Sequence, residues 1–103
     1  MQKHQTFEKL QKISENKILK FFLEKPYSLE LLFILYFEKK IEGLENTYQH
    51  LKSSKPKYPA FKAYIDYLVQ KKCIKIEDGK TKKSSKILSL TDQVNAELLK
   101  INS

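Results

Sequence analysis

With 103 residues, 41% of them hydrophobic and including six Phe and six Tyr, the chain has material for one core and one domain, which excludes wholesale disorder. Two Gly and three Pro argue against a loop-rich or many-stranded fold, and a single cysteine excludes an internal disulfide. The formal net charge is +8, and all twenty cationic side chains are lysine. The longest apolar run, Leu31 to Phe37, is seven residues against the roughly twenty of a membrane span, so it belongs in a core. The opening residues MQKHQTFEKL lack the apolar stretch of a signal peptide, and a cytoplasmic, reducing location is expected.

Thr6 to Lys25 is expected to form the first helix, because Phe7, Leu10, Ile13, Ile18, Phe21 and Phe22 recur at near-helical spacing with Lys and Glu between them. Pro26 stops it, since the residue before a proline is pushed out of helical geometry. Ser28 then serves as N-cap for a second helix, Leu29 to about Lys40. Its sequence LELLFILYFEKK is apolar on nearly all sides, which predicts a central element covered on most faces. Gly43 ends it or marks the following turn. Ile41, Leu44, Tyr48 and Leu51 are spaced by three and four, so a short third helix is expected from about Glu42 or Leu44 to Lys52.

Ser53 to Pro59 holds two prolines and two serines and reads as a turn. A fourth helix comes next, from Tyr58 or Pro59 to Lys71, with Pro59 suited to the first helical position. Phe61, Tyr64, Ile65 and Leu68 form its buried stripe, leaving Tyr58, Ala60, Lys62, Ala63, Asp66, Tyr67 and Gln70 on the outer face. After Lys72 the period changes: Ile74 and Ile76 alternate with Lys75 and Glu77, as in a half-buried strand. Asp78-Gly79 is a turn dipeptide, Lys80 to Ser85 is too polar to pack, and Ile87, Leu88 and Leu90 return as a second strand. Thr91 or Ser89 caps a last helix, Asp92 to about Ile101. The expected fold is mainly α with a small β-hairpin: a winged helix-turn-helix of five helices and one wing.

Charge is distributed unevenly over these elements. Between Lys52 and Leu90 lie eleven lysines against three acids, so this stretch alone carries +8, while the other 64 residues sum to zero. A positive field confined to one helix-and-hairpin unit is the footprint of a polyanion-binding surface. In helix-turn-helix docking the start of the second helix enters the major groove. Here that places Lys57, Tyr58, Ala60, Lys62 and Ala63 at base edges, with Ser53, Ser54 and Lys55 on the approach. The wing, 78–86, sets Lys80, Lys82, Lys83 and Lys86 beside adjacent backbone or minor groove. Tyr58 is equally well explained as packing on the preceding helix, whereas Asp66 is expected to be an intrahelical partner of Lys62 rather than a reader of cytosine.

With no arginine, the bidentate Arg contact to guanine is impossible, and discrimination must come from polar and apolar contacts or DNA shape. Cys73 is expected to be a buried, inert thiol. His4, His50 and one Cys lack metal-ligand spacing, and no phosphate loop or catalytic carboxylate pair is present, so neither cofactor nor enzyme activity is expected.

The segments Leu68-Val69-Gln70-Lys71-Lys72-Cys73-Ile74 and Ser89-Leu90-Thr91, together with the helix order, resemble the MarR-type winged-helix transcriptional regulators over about residues 28–101. The first looks like the end of that family's recognition helix entering the wing, and the second like the wing's exit into a helix that often joins a dimer interface. The pattern departs at Lys72 and Val94, where the family usually has Gly, and in a wing without its Asp-x-Arg pair.

The resemblance implies a DNA-binding transcriptional regulator with a recognition helix at about 58–71. The chain then divides into an N-terminal helix within 1–25 that serves dimerisation, a winged-helix core over 28–90 and a C-terminal helix over 91–103. Phe7, Leu10, Ile13, Leu98, Leu99 and Ile101 offer more apolar surface than a 103-residue monomer is expected to cover, so a homodimer on double-stranded DNA is expected. No residue pattern supports a small-molecule effector. The alternatives are a winged-helix protein-interaction module and a non-specific duplex nucleic-acid binder.

Overall fold

The structure, a computed structural model, describes residues 2–52, 54–79 and 86–102. In chain order it contains α1 (Gln2–Glu15), a 3-10 helix (Leu19–Leu23), α2 (Ser28–Glu38), β1 (Ile41–Glu42), α3 (Leu44–His50), α4 (Tyr58–Gln70), β2 (Ile74–Asp78), β3 (Lys86–Leu90) and α5 (Asp92–Asn102). The described residues are mainly helical, with five α-helices and one antiparallel sheet of strand order β1-β3-β2.

The expected first helix is broken in two. Asn16 Oδ1 accepts the N–H groups of Ile18 and Leu19 at 3.0 Å each, while its Nδ2 donates to Glu97 Oε1 on α5 at 2.7 Å. An Asn side chain that satisfies the backbone locally competes with helix continuation. The chain therefore turns after α1, and the 3-10 segment delivers Leu19 and Phe22 to full burial.

Two further expectations fail around α2. Ser28 is the first helical residue rather than a side-chain cap. Its buried Oγ accepts Lys25 N–H (2.8 Å) and donates to Tyr64 Oη (2.8 Å). The helix is also left partly uncovered. The 3-10 segment and β3 pack on it, with Leu31, Leu32 and Leu35 buried and Leu29, Ile34 and Tyr36 partly so, but Phe33 and Phe37 stay exposed, Phe37 at 71%. The helix stops at Glu38, followed by Lys39 at φ +67°.

Ile41 does not join the third helix. It lies in β1, opposite Leu88 of β3, and Gly43 N–H donates to Lys86 O at 2.6 Å. The expected hairpin is thus part of a three-stranded sheet, since β1 occupies the edge of β3 that would otherwise leave backbone groups unpaired. Gly43 sits at φ +98°, a conformation that side-chain-bearing residues rarely adopt, and α3 starts immediately after it.

From α4 onward the elements form where expected, but the alternation expected of β2 buries Ile74 alone, leaving Ile76 exposed. Phe61, Tyr64, Ile65 and Leu68 are the buried stripe of α4, and Pro59 lies in its first turn. The helix closes with Lys72 N–H on Val69 O (3.0 Å) and Cys73 N–H on Leu68 O (2.8 Å), Lys72 taking φ +64° where glycine is the usual residue. β2 and β3 pair in register from Ile74 opposite Leu90 to Asp78 opposite Lys86. Thr91, not Ser89, caps α5: its Oγ1 accepts Val94 N–H (3.4 Å) and donates to Lys72 O (2.8 Å). One cluster, including Leu19, Phe22, Leu31, Leu35, Phe61, Leu68, Leu88 and Val94, forms the core beneath α4 and the sheet. Ile13 and Leu98 are buried where α1 meets α5, so the single chain covers part of the surface expected to pair with a second copy.

Candidate nucleic-acid interface

Helix α4 has two distinct faces. Its buried stripe fixes it on the core, and Lys62, Ala63, Asp66 and Gln70 are exposed on the opposite side. Those four residues recur at intervals of one, three and four, which keeps them within one helical stripe. No ion pair joins Lys62 to Asp66, so the intrahelical partnership expected for Asp66 is not formed and its carboxylate remains on the outer surface.

The approach to α4 is held by aromatic packing. Tyr48 of α3 donates its hydroxyl to Pro56 O (2.5 Å), pinning the turn, and its ring meets Tyr58 edge-on at 5.3 Å and Phe61 at 5.2 Å. Lys55 Nζ lies 4.6 Å from the centre of the Tyr48 ring and 3.5 Å from Gln49 Oε1. Tyr58 is half-buried in this contact, and burial together with the Glu45 charge raises its pKa. Of the two explanations for Tyr58, packing on α3 is therefore the one its position supports. Ser54 (φ +49°) and Lys57, the N-cap residue of α4, are exposed beside it.

Ala60 and Ala63 are exposed but do not face open solvent alone. They line a shallow groove with Tyr64, Tyr67, Glu24 and Lys25, whose far wall is the segment after the 3-10 helix. Tyr67 donates to Glu24 Oε2 at 2.5 Å across it, and that hydrogen bond, more than burial, pushes the phenol up to about 12. The periodicity of the first helix gave no signal for this wall, because it reads residues 19–25 as a continuation of α1.

At the hairpin base, Lys86 Nζ contacts Asp78 Oδ1 at 2.7 Å across the ladder, which lowers the Asp78 pKa through hydrogen bonding and charge. Lys86 is therefore tied to the hairpin. Ser53, Lys80, Lys82 and Lys83 lie outside the described residues. Cys73 is buried with its thiol pushed up to about 11 by burial, as suits an inert core residue. Among the described residues no group of three His, Cys, Asp or Glu side chains is placed to hold a metal ion, and no helix is long and apolar enough to cross a membrane. The surface offers lysine charge around an exposed helix face, which suits ionic contact with a polyanion.

No protein family, curated protein or solved structure matches the chain.

Proposed function

We propose that the chain is a winged helix-turn-helix transcriptional regulator of MarR type that binds duplex DNA as a homodimer. In this reading α3 and α4 are the helix-turn-helix, β2 and β3 are the wing, and α4 enters the major groove. One observation carries it: α4 is fixed by a buried stripe, and its opposite face stands free between the basic approach at Lys55 and Lys57 and the base of the hairpin. The concentration of the full +8 between Lys52 and Leu90 supplies the attraction. Lys62, Ala63, Asp66 and Gln70 are the side chains set toward base edges. Lys62 suits a guanine acceptor, Asp66 the cytosine amino group, and Ala63 a thymine methyl. Without arginine, discrimination against random DNA falls near the lower end of the usual range of roughly 10³ to 10⁷.

Dimerisation rests on Phe7 and Leu99, which remain 66% and 63% exposed on α1 and α5, with Leu10 between them and the covered Ile13. A two-fold pair sets its recognition helices about 34 Å apart on a pseudo-palindromic site.

Fluorescence anisotropy on random and selected duplexes over a salt series tests the proposal. The expected result is binding whose log K falls with log salt by about 0.9 per phosphate contact, with a preferred sequence recovered from a random pool. Absence of salt-dependent duplex binding refutes it, and binding without any preferred sequence reduces it to a non-specific binder. Light scattering that gives a mass of 12.2 kDa at micromolar concentration removes the dimer.

A further inference from the structure

The flank of α4 that faces the 3-10 segment carries its own cationic cluster. Ala60, Ala63, Tyr67 and Lys71 succeed one another at intervals of three, four and four, so they run along one side of the helix. The other side, at Val69, borders a groove that Ile74 and Ile76 of β2 also line. The hairpin and the 3-10 segment therefore flank α4 on opposite sides. On the 3-10 side, Lys71 Nζ lies 5.4 Å and Lys20 Nζ 5.6 Å from the centre of the same Phe21 ring, and Lys25 borders the groove beside Ala60 and Ala63.

None of these three ammonium groups forms an ion pair with a described carboxylate. Glu24, the acid of this flank, has an oxygen engaged by the Tyr67 hydroxyl. The segment is also fastened to α4. Tyr64 Oη donates to Phe21 O and accepts from Ser28 Oγ, and Tyr67 reaches Glu24. Three exposed ammonium groups against the one carboxylate of Glu24 leave this flank net positive and open to an external anion.

We infer that residues 19–25 form a second backbone-contact arm, in which Lys20 and Lys25, with Lys71, bind phosphates on the rim of the major groove opposite the one met by the hairpin. The geometry of B-DNA gives the reason. Its major groove is about 12 Å wide, close to the diameter of a helix with its side chains, so whatever flanks an inserted helix on either side meets one of the two bordering backbones. This inference rests on the DNA-binding reading above and adds the second rim to it.

The test compares the parent chain with the double variant Lys20→Gln/Lys25→Gln. A control, Lys9→Gln/Lys12→Gln on α1, removes the same net charge from another part of the molecule. All four lysines are exposed, so circular-dichroism melting should leave both variants at the parental transition. Two lost phosphate contacts lower the salt slope by about 1.8, so between about 50 and about 200 mM salt the parent loses roughly twelvefold more affinity than the double variant. Ethylation interference should lose its signal at phosphates of one groove rim only, and the control should keep both slope and pattern. A double variant with the parental slope and interference pattern overturns the arm while leaving duplex binding by α4 intact. An equal loss of slope in the control also overturns it, because the effect is then one of net charge. A parent that shows no salt-dependent duplex binding overturns the DNA-binding reading itself.

Discussion

Replacing Tyr64 by Phe should cost this fold more stability than the loss of a single hydrogen bond. The hydroxyl lies inside a relay in which Lys25 N–H donates to Ser28 Oγ, Ser28 Oγ donates to Tyr64 Oη, and Tyr64 Oη donates to Phe21 O. Ser28 is fully buried and Tyr64 nearly so, and burial, the largest influence on the phenol, raises its pKa and keeps it protonated at neutral pH. In Tyr64→Phe the Ser28 hydroxyl loses its acceptor and the Phe21 carbonyl loses its donor. Each hydrogen bond is worth about 1 kcal/mol net, and a stranded buried group costs about 1–3 kcal/mol, so a total of roughly 2–4 kcal/mol is expected. Ser28→Ala strands less, and about 1–2 kcal/mol is expected for it. The double variant no longer contains the stranded serine hydroxyl and should cost about 1–2 kcal/mol less than the sum of the singles. Urea denaturation measures all three. At a slope of roughly 1.5 kcal/mol/M the Tyr64→Phe midpoint falls by about 1.3–2.7 M. Strict additivity of the singles, or a Tyr64→Phe midpoint equal to the parent's, would refute the relay.

Two other positions give equally definite expectations. Lys72, at φ +64°, should prefer glycine: Lys72→Gly is expected to raise stability by about 0.5–1 kcal/mol and Lys72→Val to lower it by about 1 kcal/mol. The order of melting temperatures Gly above Lys above Val checks this, and a destabilising Gly contradicts it. Cys73, with its buried thiol near pKa 11, is almost wholly protonated at neutral to mildly basic pH, so iodoacetamide should label the urea-unfolded chain at least about 100-fold faster than the native one. Native labelling at the unfolded rate would show that the thiol is not enclosed.

Much of the chain from α4 to α5 was legible because the signals there are local. The 61-64-65-68 spacing names a buried helical face, and the change to alternation after Lys72 names a strand. The residue types narrow the cap of α5 to Thr91 or Ser89, and Thr91 fills it, whereas nothing about a lysine signals the left-handed turn that Lys72 adopts. In the helix and its caps the groups that satisfy the backbone lie within a few residues of the signal, and β2 finds its ladder on β3, the next strand in the chain.

Elsewhere the deciding partner is remote in sequence. Ile41 fits a helical stripe as well as a strand, and it becomes a strand because Leu88 offers a ladder. Asn16 interrupts a helix whose apolar spacing continues past it, with Glu97 of α5 holding the side-chain amide. Periodicity marked α2 as apolar all round, but only packing decided which face is covered, leaving Phe33 and Phe37 outside. The lysines of residues 19–25 come beside α4 for the same reason: the break at Asn16 and the hydrogen bond from Tyr64 to Phe21 redirect the chain. An apolar period tells a helix which side to bury and says nothing of what will cover it. That choice belongs to contacts between residues distant in the chain, which tertiary packing alone brings together.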